Sequence, residues 1–90
     1  MLKKNIVVTN PEGIHARPAS ALVRLAGKFE SEFFIHTHGY KINGKSILGV
    51  LTLAAECGAN LELETSGPDE KKAMDAIVEL FENNFKNGED

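Results

Sequence analysis

The residue types best suited to chemistry crowd into one short segment, Gly13-Ile14-His15-Ala16-Arg17-Pro18-Ala19-Ser20. An imidazole is a neutral nucleophile near pH 7, and a guanidinium two residues later presents a planar fork suited to phosphate oxygens. Pro18 lacks an N–H and is tolerated in a helix only in the first turn, so a helix must open close to Ala16. His15 then falls at or beside the N-cap, where Ser, Thr, Asp or Asn would cap better. The amides of Ala16 and Arg17 point outward with the positive end of the helix dipole, which makes a ready anion site. An imidazole, two amides and Arg17 at one helix start are what a phosphoryl-accepting histidine needs, because phosphoryl transfer rests mainly on positioning and charge compensation. The same spacing also fits a solvated loop histidine with an arginine nearby, and spacing alone does not decide between the two.

The elements that must hold this segment are legible from periodicity. Residues 2 to 9 alternate as a strand, with Leu2, Ile6 and Val8 on one face and Lys4 as the exception. A turn cluster, Asn10-Pro11-Glu12-Gly13, follows. From Ala16 to Phe29, the residues Ala19, Leu22, Val23 and Ala26 recur at helical spacing, and Gly27-Lys28 is a plausible helix end. Glu32 to Thr37 reads as a strand with Phe33 and Ile35 on one side and Phe34 and His36 on the other. His38-Gly39-Tyr40 reads as a hairpin turn into a short strand, Lys41 to Asn43.

Ser46 to Leu53 is apolar and short enough to be a helix or a strand; the serine before it favours a capped helix. Asn60 to Thr65 alternates, with Leu61 and Leu63 inward and Glu62 and Glu64 outward. Ser66-Gly67-Pro68-Asp69-Glu70 reads as a helix start, with a capping serine or glycine and Pro in the first turn. Ala73, Met74, Ile77, Leu80 and Phe81 form that helix's buried stripe. The order β-α-β-β-α-β-α predicts an α+β fold of two layers, an antiparallel sheet covered on one face by helices.

Length and charge narrow the function classes. Ninety residues make one small domain with a thin core. Ten Lys+Arg against thirteen Asp+Glu give a net charge of −3, which offers no bulk attraction to nucleic acid or anionic lipid. No apolar run approaches the roughly 18 to 20 residues of a membrane span, and the N-terminus does not read as a signal peptide. The single cysteine, Cys57, fits a packing or surface role in a reducing cytosol and has no Cys or His at zinc-ligand spacing. His36 and His38 share a strand face and could chelate a metal, but solvated surface is the plainer expectation. No cofactor or metal is expected, and a chain this short disfavours a self-contained enzyme.

The Gly-Ile-His-Ala-Arg-Pro-Ala motif, the Lys45-Ser46-Ile47-Leu48-Gly49-Val50 segment and the element order together resemble the HPr family. These are the histidine-containing phosphocarriers of the bacterial phosphoenolpyruvate:sugar phosphotransferase system (PTS). The resemblance covers nearly the whole chain. It implies an open-faced β-sandwich of sheet order 1-4-2-3 with three helices on one face, spanning residues 1–86, with 87–90 as a polar tail. It implies a cytoplasmic monomer whose His15 accepts a phosphoryl group on Nδ1 from enzyme I and passes it to IIA components of sugar permeases. Arg17 and the Ala16 N–H then offset phosphoryl charge.

The resemblance also implies a docking patch of Ile47, Leu48 and Leu51, with Ser20 and Arg24 as its polar rim. Read from sequence alone, the three apolar residues of that patch could equally be core. Ser46 serves as a helix cap in either reading. In some members of the family the serine of this motif is phosphorylated by HPr kinase/phosphorylase, so Ser46 is the expected regulatory residue. Two alternatives stay open: the nitrogen-regulatory PTS paralogue, and a corepressor module acting through phospho-Ser46 on a transcription factor such as catabolite control protein A. Three positions depart from the family pattern. Glu12 stands where a small polar residue is frequent, Leu48 where Met is frequent, and Gly44 where a larger apolar residue is frequent. Phe34, on the exposed strand face, has no role in this reading.

Overall fold

A computed structural model describes residues 1–9, 11, 13–14, 16–53 and 56–85. Four strands and three helices follow in the order β1 (Leu2–Val7), α1 (Ala16–Ala26), β2 (Glu32–Thr37), β3 (Tyr40–Asn43), α2 (Ile47–Leu53), β4 (Asn60–Ser66) and α3 (Glu70–Glu82). The strands form one antiparallel sheet in the order β1-β4-β2-β3. Both the element order and the sheet order match expectation. The expected tail, 87–90, lies outside the described residues.

Strand alternation sorts the sheet into two faces. Phe33, Ile35, Leu61 and Leu63 are almost fully buried and share one core with Ala19, Leu22 and Ala26 of α1, Val50 of α2, and Met74, Ile77, Leu80 and Phe81 of α3. All three helices therefore lie on the same face. Seven residues are too few for a stable isolated helix in water, where about 12 to 15 are marginal, so packing holds α2 in place. Val50 is its buried anchor.

The hairpin between β2 and β3 turns on His38 and Gly39, with φ values of 51° and 79°, and Thr37 pairs with Tyr40. Two successive left-handed residues match the right-handed strand twist, and glycine adopts this conformation without strain. His38 is thus in the turn and not on the strand face with His36.

Glu64 is a second departure. It leaves the sheet on the open face, as expected, yet it is only 5% exposed. On the central strand β4 it sits between Lys3 of β1 and Phe34 of β2, and the His36 ring donates a hydrogen bond from Nε2 to its Oε1 at 2.6 Å. That bond holds the Glu64 carboxyl below the usual carboxylate range; burial opposes it, and Lys41, His36 and Lys3 add favourable charge. Phe34 also acquires a role, since the Lys41 amine lies 4.3 Å from its ring centroid.

The start of α3 differs in detail from the expected cap. β4 runs on through Ser66, and Pro68 precedes the N-cap residue, Asp69, whose side chain makes no capping bond. The Glu70 carboxylate reaches back to accept the Gly67 N–H at 3.0 Å, which ties the end of β4 to the first helical residue. The Asp69 carboxylate turns away to accept hydrogen bonds from the amides of Glu30 and Ser31 and from the Ser31 hydroxyl, pinning the α1–β2 loop to the head of α3.

The Ser31 hydroxyl, the Glu30 amide and then the Ser31 amide hold the Asp69 carboxyl below its ordinary value of 3.8. Its stabilising contribution is complete above that ordinary value and is lost as pH falls through the lower folded one. Asp69→Asn should therefore lower the urea midpoint at pH 7, with the gap to the parent protein narrowing as pH drops below about 4. A gap that stays constant with pH would show that the carboxylate charge contributes nothing.

Candidate functional site

The candidate site is built where α1 opens. Ile14 is buried in the core at 4% exposure and Gly13 has a φ of 72°, so this segment is anchored immediately before the helix. The first helical residue is Ala16, as Pro18 requires. Pro18 and Ala19 are buried, whereas Ala16, Arg17 and Ser20 are exposed. The first turn itself carries no acidic residue. His15 and Glu12 lie outside the described residues. In the chain, His15 links buried Ile14 to exposed Ala16.

Arg24 is exposed one turn beyond Ser20, and α1 packs against α2 and α3. Gly27, Lys28 and Phe29 close the end of α1 with backbone bonds to Val23, Leu25 and Ala26. The helix ends where Gly27 was expected to stop it.

The second half of the candidate surface is α2. Ser46 caps it: the Gly49 N–H donates to Ser46 Oγ at 3.1 Å, and the Ser46 carbonyl accepts the Val50 N–H at 2.9 Å. Such a cap is worth about 1 kcal/mol. Asn43 Oδ1 accepts the Lys45 N–H, and the Lys45 amine reaches the Phe29 carbonyl at 2.7 Å, fixing the turn that leads into the helix. A Cβ at Gly49 would come within 3.2 Å of the Asn43 carbonyl, so α2 lies tightly on the end of β3.

With Val50 turned inward, Ile47, Leu48 and Leu51 stand exposed at 39%, 72% and 37%. Of the two readings open for these residues in the sequence, core and surface patch, the structure selects the exposed one. Sequence reasoning missed Tyr40, which stands 70% exposed on the neighbouring hairpin.

Among the described residues, no cluster of three or more His, Cys, Asp or Glu side chains could hold a metal, and no helix is long and apolar enough to cross a membrane. The His36 ring is committed to Glu64 and not to His38. Cys57 is exposed, with its thiol 3.8 Å from the Thr9 carbonyl.

Residues 2–83 match the family described as PTS HPr component phosphorylation site. A protein of Treponema pallidum named phosphocarrier protein HPr is 44% identical over 96% of this chain and 98% of its own length. The HPr-like protein Crh of Halalkalibacterium halodurans is 42% identical, covering 91% of this chain and 98% of its own. The phosphocarrier protein NPr of Proteus mirabilis is 39% identical, covering 91% and 92%. Among solved structures, HPr-C-His from Thermoanaerobacter tengcongensis superposes with a TM-score of 0.91 at 38% identity, covering 94% of this chain and 96% of that one.

Proposed function

Because the chain belongs to the HPr family, the phosphocarriers of the phosphotransferase system, we propose that it takes a phosphoryl group from enzyme I onto His15 and delivers it to IIA components of sugar permeases. The observation that carries this reading is the helix start. α1 opens at Ala16, directly after His15, with Arg17 exposed on a first turn that holds no carboxylate. The lone pair on Nδ1 of the neutral ring attacks phosphorus as the donor's bond to phosphorus breaks. The Ala16 amide and the Arg17 guanidinium offset charge on the phosphoryl oxygens. Delivery to the IIA component reverses the same geometry, so the chain turns over only with partners.

Docking of those partners falls to the exposed residues of the two touching helices, with Ile47, Leu48 and Leu51 as the apolar centre and Ser20 and Arg24 as the polar rim. A small patch suits a cytoplasmic, monomeric carrier that must release each partner quickly. Residues 1–86 form the carrier domain in this reading. The test is transfer of labelled phosphate from phosphoenolpyruvate through enzyme I, which should leave acid-labile label on the chain. No label from enzyme I of the sugar branch, with label from its nitrogen-branch counterpart, would move the chain to the nitrogen-regulatory paralogue, the reading favoured by the likeness to NPr.

Regulation through Ser46 is supported by its capping geometry. A phosphate there sits at the positive end of α2 and is compatible with the fold, while its added charge of about −2 acts outward against acidic partners. The likeness to Crh, described in Bacillus subtilis as a catabolite repression HPr, supports a catabolite-regulatory role for the phosphoserine form, as a corepressor of a factor of the catabolite-control type. Incubation with HPr kinase/phosphorylase and ATP should place acid-stable label on the parent chain and none on Ser46→Ala. An unlabelled parent chain would remove Ser46 as a regulatory site.

A further inference from the structure

Lys45 breaks the pattern set by the other lysines. Lys3, Lys4, Lys28, Lys41, Lys71 and Lys72 are exposed, whereas Lys45 alone among the described lysines is half-buried. It also stands where a cation is out of place. It directly precedes Ser46, the cap of α2, and so lies at the positive end of that helix, where negative charge is favoured. Left in solvent beside Ser46, its amine would serve as a handle for a phosphate or an acidic partner. The fold gives it a different task.

The Lys45 amine turns away from α2 and donates to the Phe29 carbonyl at 2.7 Å. Phe29 follows the end of α1, with its own N–H bonded back to Ala26. Its carbonyl therefore lies just past the negative end of α1, the end that a lysine favours. The remaining bonds of the turn stay within the sheet and the turn itself. The Gly44 N–H goes to the Phe33 carbonyl at 2.8 Å, and the Lys45 and Ser46 N–H groups go to the Asn43 side chain and carbonyl. The Lys45 side chain adds the link from this turn to the end of α1, and its charge makes that bond stronger than a neutral one.

We propose that Lys45 is a positioning residue for phosphorylation of Ser46, acting through the Phe29 carbonyl and not through contact with the kinase. The proposal rests on the Ser46 reading above and deepens it. In that reaction the Ser46 oxygen bonds the γ-phosphorus of ATP as the bond to ADP breaks, and the hydroxyl proton passes to the kinase. The oxygen must meet phosphorus in line, so the direction in which the turn presents it governs the rate of the bound complex. Ile47, Leu48 and Leu51 are held by the Val50 anchor whether or not the tether is made. Loss of the tether should therefore lower kcat and leave KM near its parent value.

The test is steady-state phosphorylation of the full chain by HPr kinase/phosphorylase and ATP, with Lys45→Met and Lys45→Arg beside the parent. Lys45→Met nearly keeps the length of the side chain and removes the donor; its kcat should fall roughly tenfold or more at an unchanged KM. Lys45→Arg, whose guanidinium can still donate to a carbonyl, should recover most of that loss. Circular dichroism and an assay temperature well below Tm separate this from a loss of fold. On the parent chain, trace acetylation should modify Lys45 about tenfold more slowly than exposed Lys3 and Lys28, the hydrogen bond of a charged group being worth a factor of that order. A raised KM at parent-like kcat would place Lys45 in contact with the kinase and overturn the proposal. So would a loss that Lys45→Arg does not recover, or a Lys45 that is acetylated as fast as Lys3. A parent chain that takes no label would end the Ser46 reading itself, and the proposal with it. Parent-like values for Lys45→Met on a chain that is labelled would end the proposal alone.

Discussion

Alanine at His15 is expected to eliminate the acid-labile label that enzyme I and phosphoenolpyruvate place on the parent chain. The chain holds three histidines, and the other two are poorly placed to substitute. The His36 ring is 2.6 Å from the Glu64 carboxylate on the open face of the sheet, away from the helices. His38 lies in the left-handed hairpin turn. Neither is at a helix start where amides and an arginine can share phosphoryl charge. The substitution should leave the fold intact, because Ile14, Pro18 and Ala19 supply buried contacts on both sides of position 15. The measurement is filter-bound label before and after acid, with circular dichroism as the folding control. Label that persists in His15→Ala would place the acceptor elsewhere and end the assignment. Arg17→Ala should keep the label but acquire it about 100-fold more slowly, the usual loss for one charge-stabilising group.

The helix start that frames this experiment was readable in the sequence because proline leaves so little freedom. Pro18 is confined to a first turn, and α1 does begin at Ala16. The central strands β2 and β4 were readable because Phe33, Ile35, Leu61 and Leu63 line one buried face, which makes alternation informative. What the sequence could not supply was the filling of the open face. Alternation sends Glu64 outward, and only the strand order, which brings Lys3, Phe34 and His36 around it, explains why an outward residue is buried. The head of α3 was misread for a related reason. Ser66 and Gly67 have the chemistry of a cap, but pairing with β2 carries β4 on through Ser66. The helix starts only after Pro68, at the N-cap Asp69, whose carboxylate is taken by three donors of the α1–β2 loop. Ile47, Leu48 and Leu51 needed the placement of Val50 before their exposure could be assigned. Tyr40 passed unnoticed because a tyrosine beside a turn carries no periodic signal.

Gly44→Ala is expected to be among the most destabilising single substitutions in this chain, and its cause lies in the position that departs from the family pattern. Gly44 is buried where β3 leads into α2, with its N–H given to the Phe33 carbonyl at 2.8 Å. A Cβ there would stand 2.9 Å from Phe33 Cγ and closer still to two other ring carbons. Phe33 is 1% exposed in the core, so its ring cannot swing into solvent to make room. The Gly44 backbone does not have a positive φ, so alanine is not excluded by its own conformation and the cost is steric. Overpacking of this kind costs about 3 kcal/mol, equivalent to a loss of roughly 12 to 24 °C in Tm for a domain of this size. Phe33→Leu alone should cost about 2 kcal/mol through the cavity it leaves. The double variant should be more stable than the sum of the two losses by at least about 1 kcal/mol, since the shorter side chain vacates the space that the new methyl needs. Urea denaturation of the four proteins closes the cycle. Strict additivity, or a Gly44→Ala protein as stable as its parent, would show that the ring is free to move. The same turn sets where Ser46 and α2 begin, so the double variant should also recover the KM for enzyme I that Gly44→Ala loses. A packed ring in the sheet thereby fixes the position of α2.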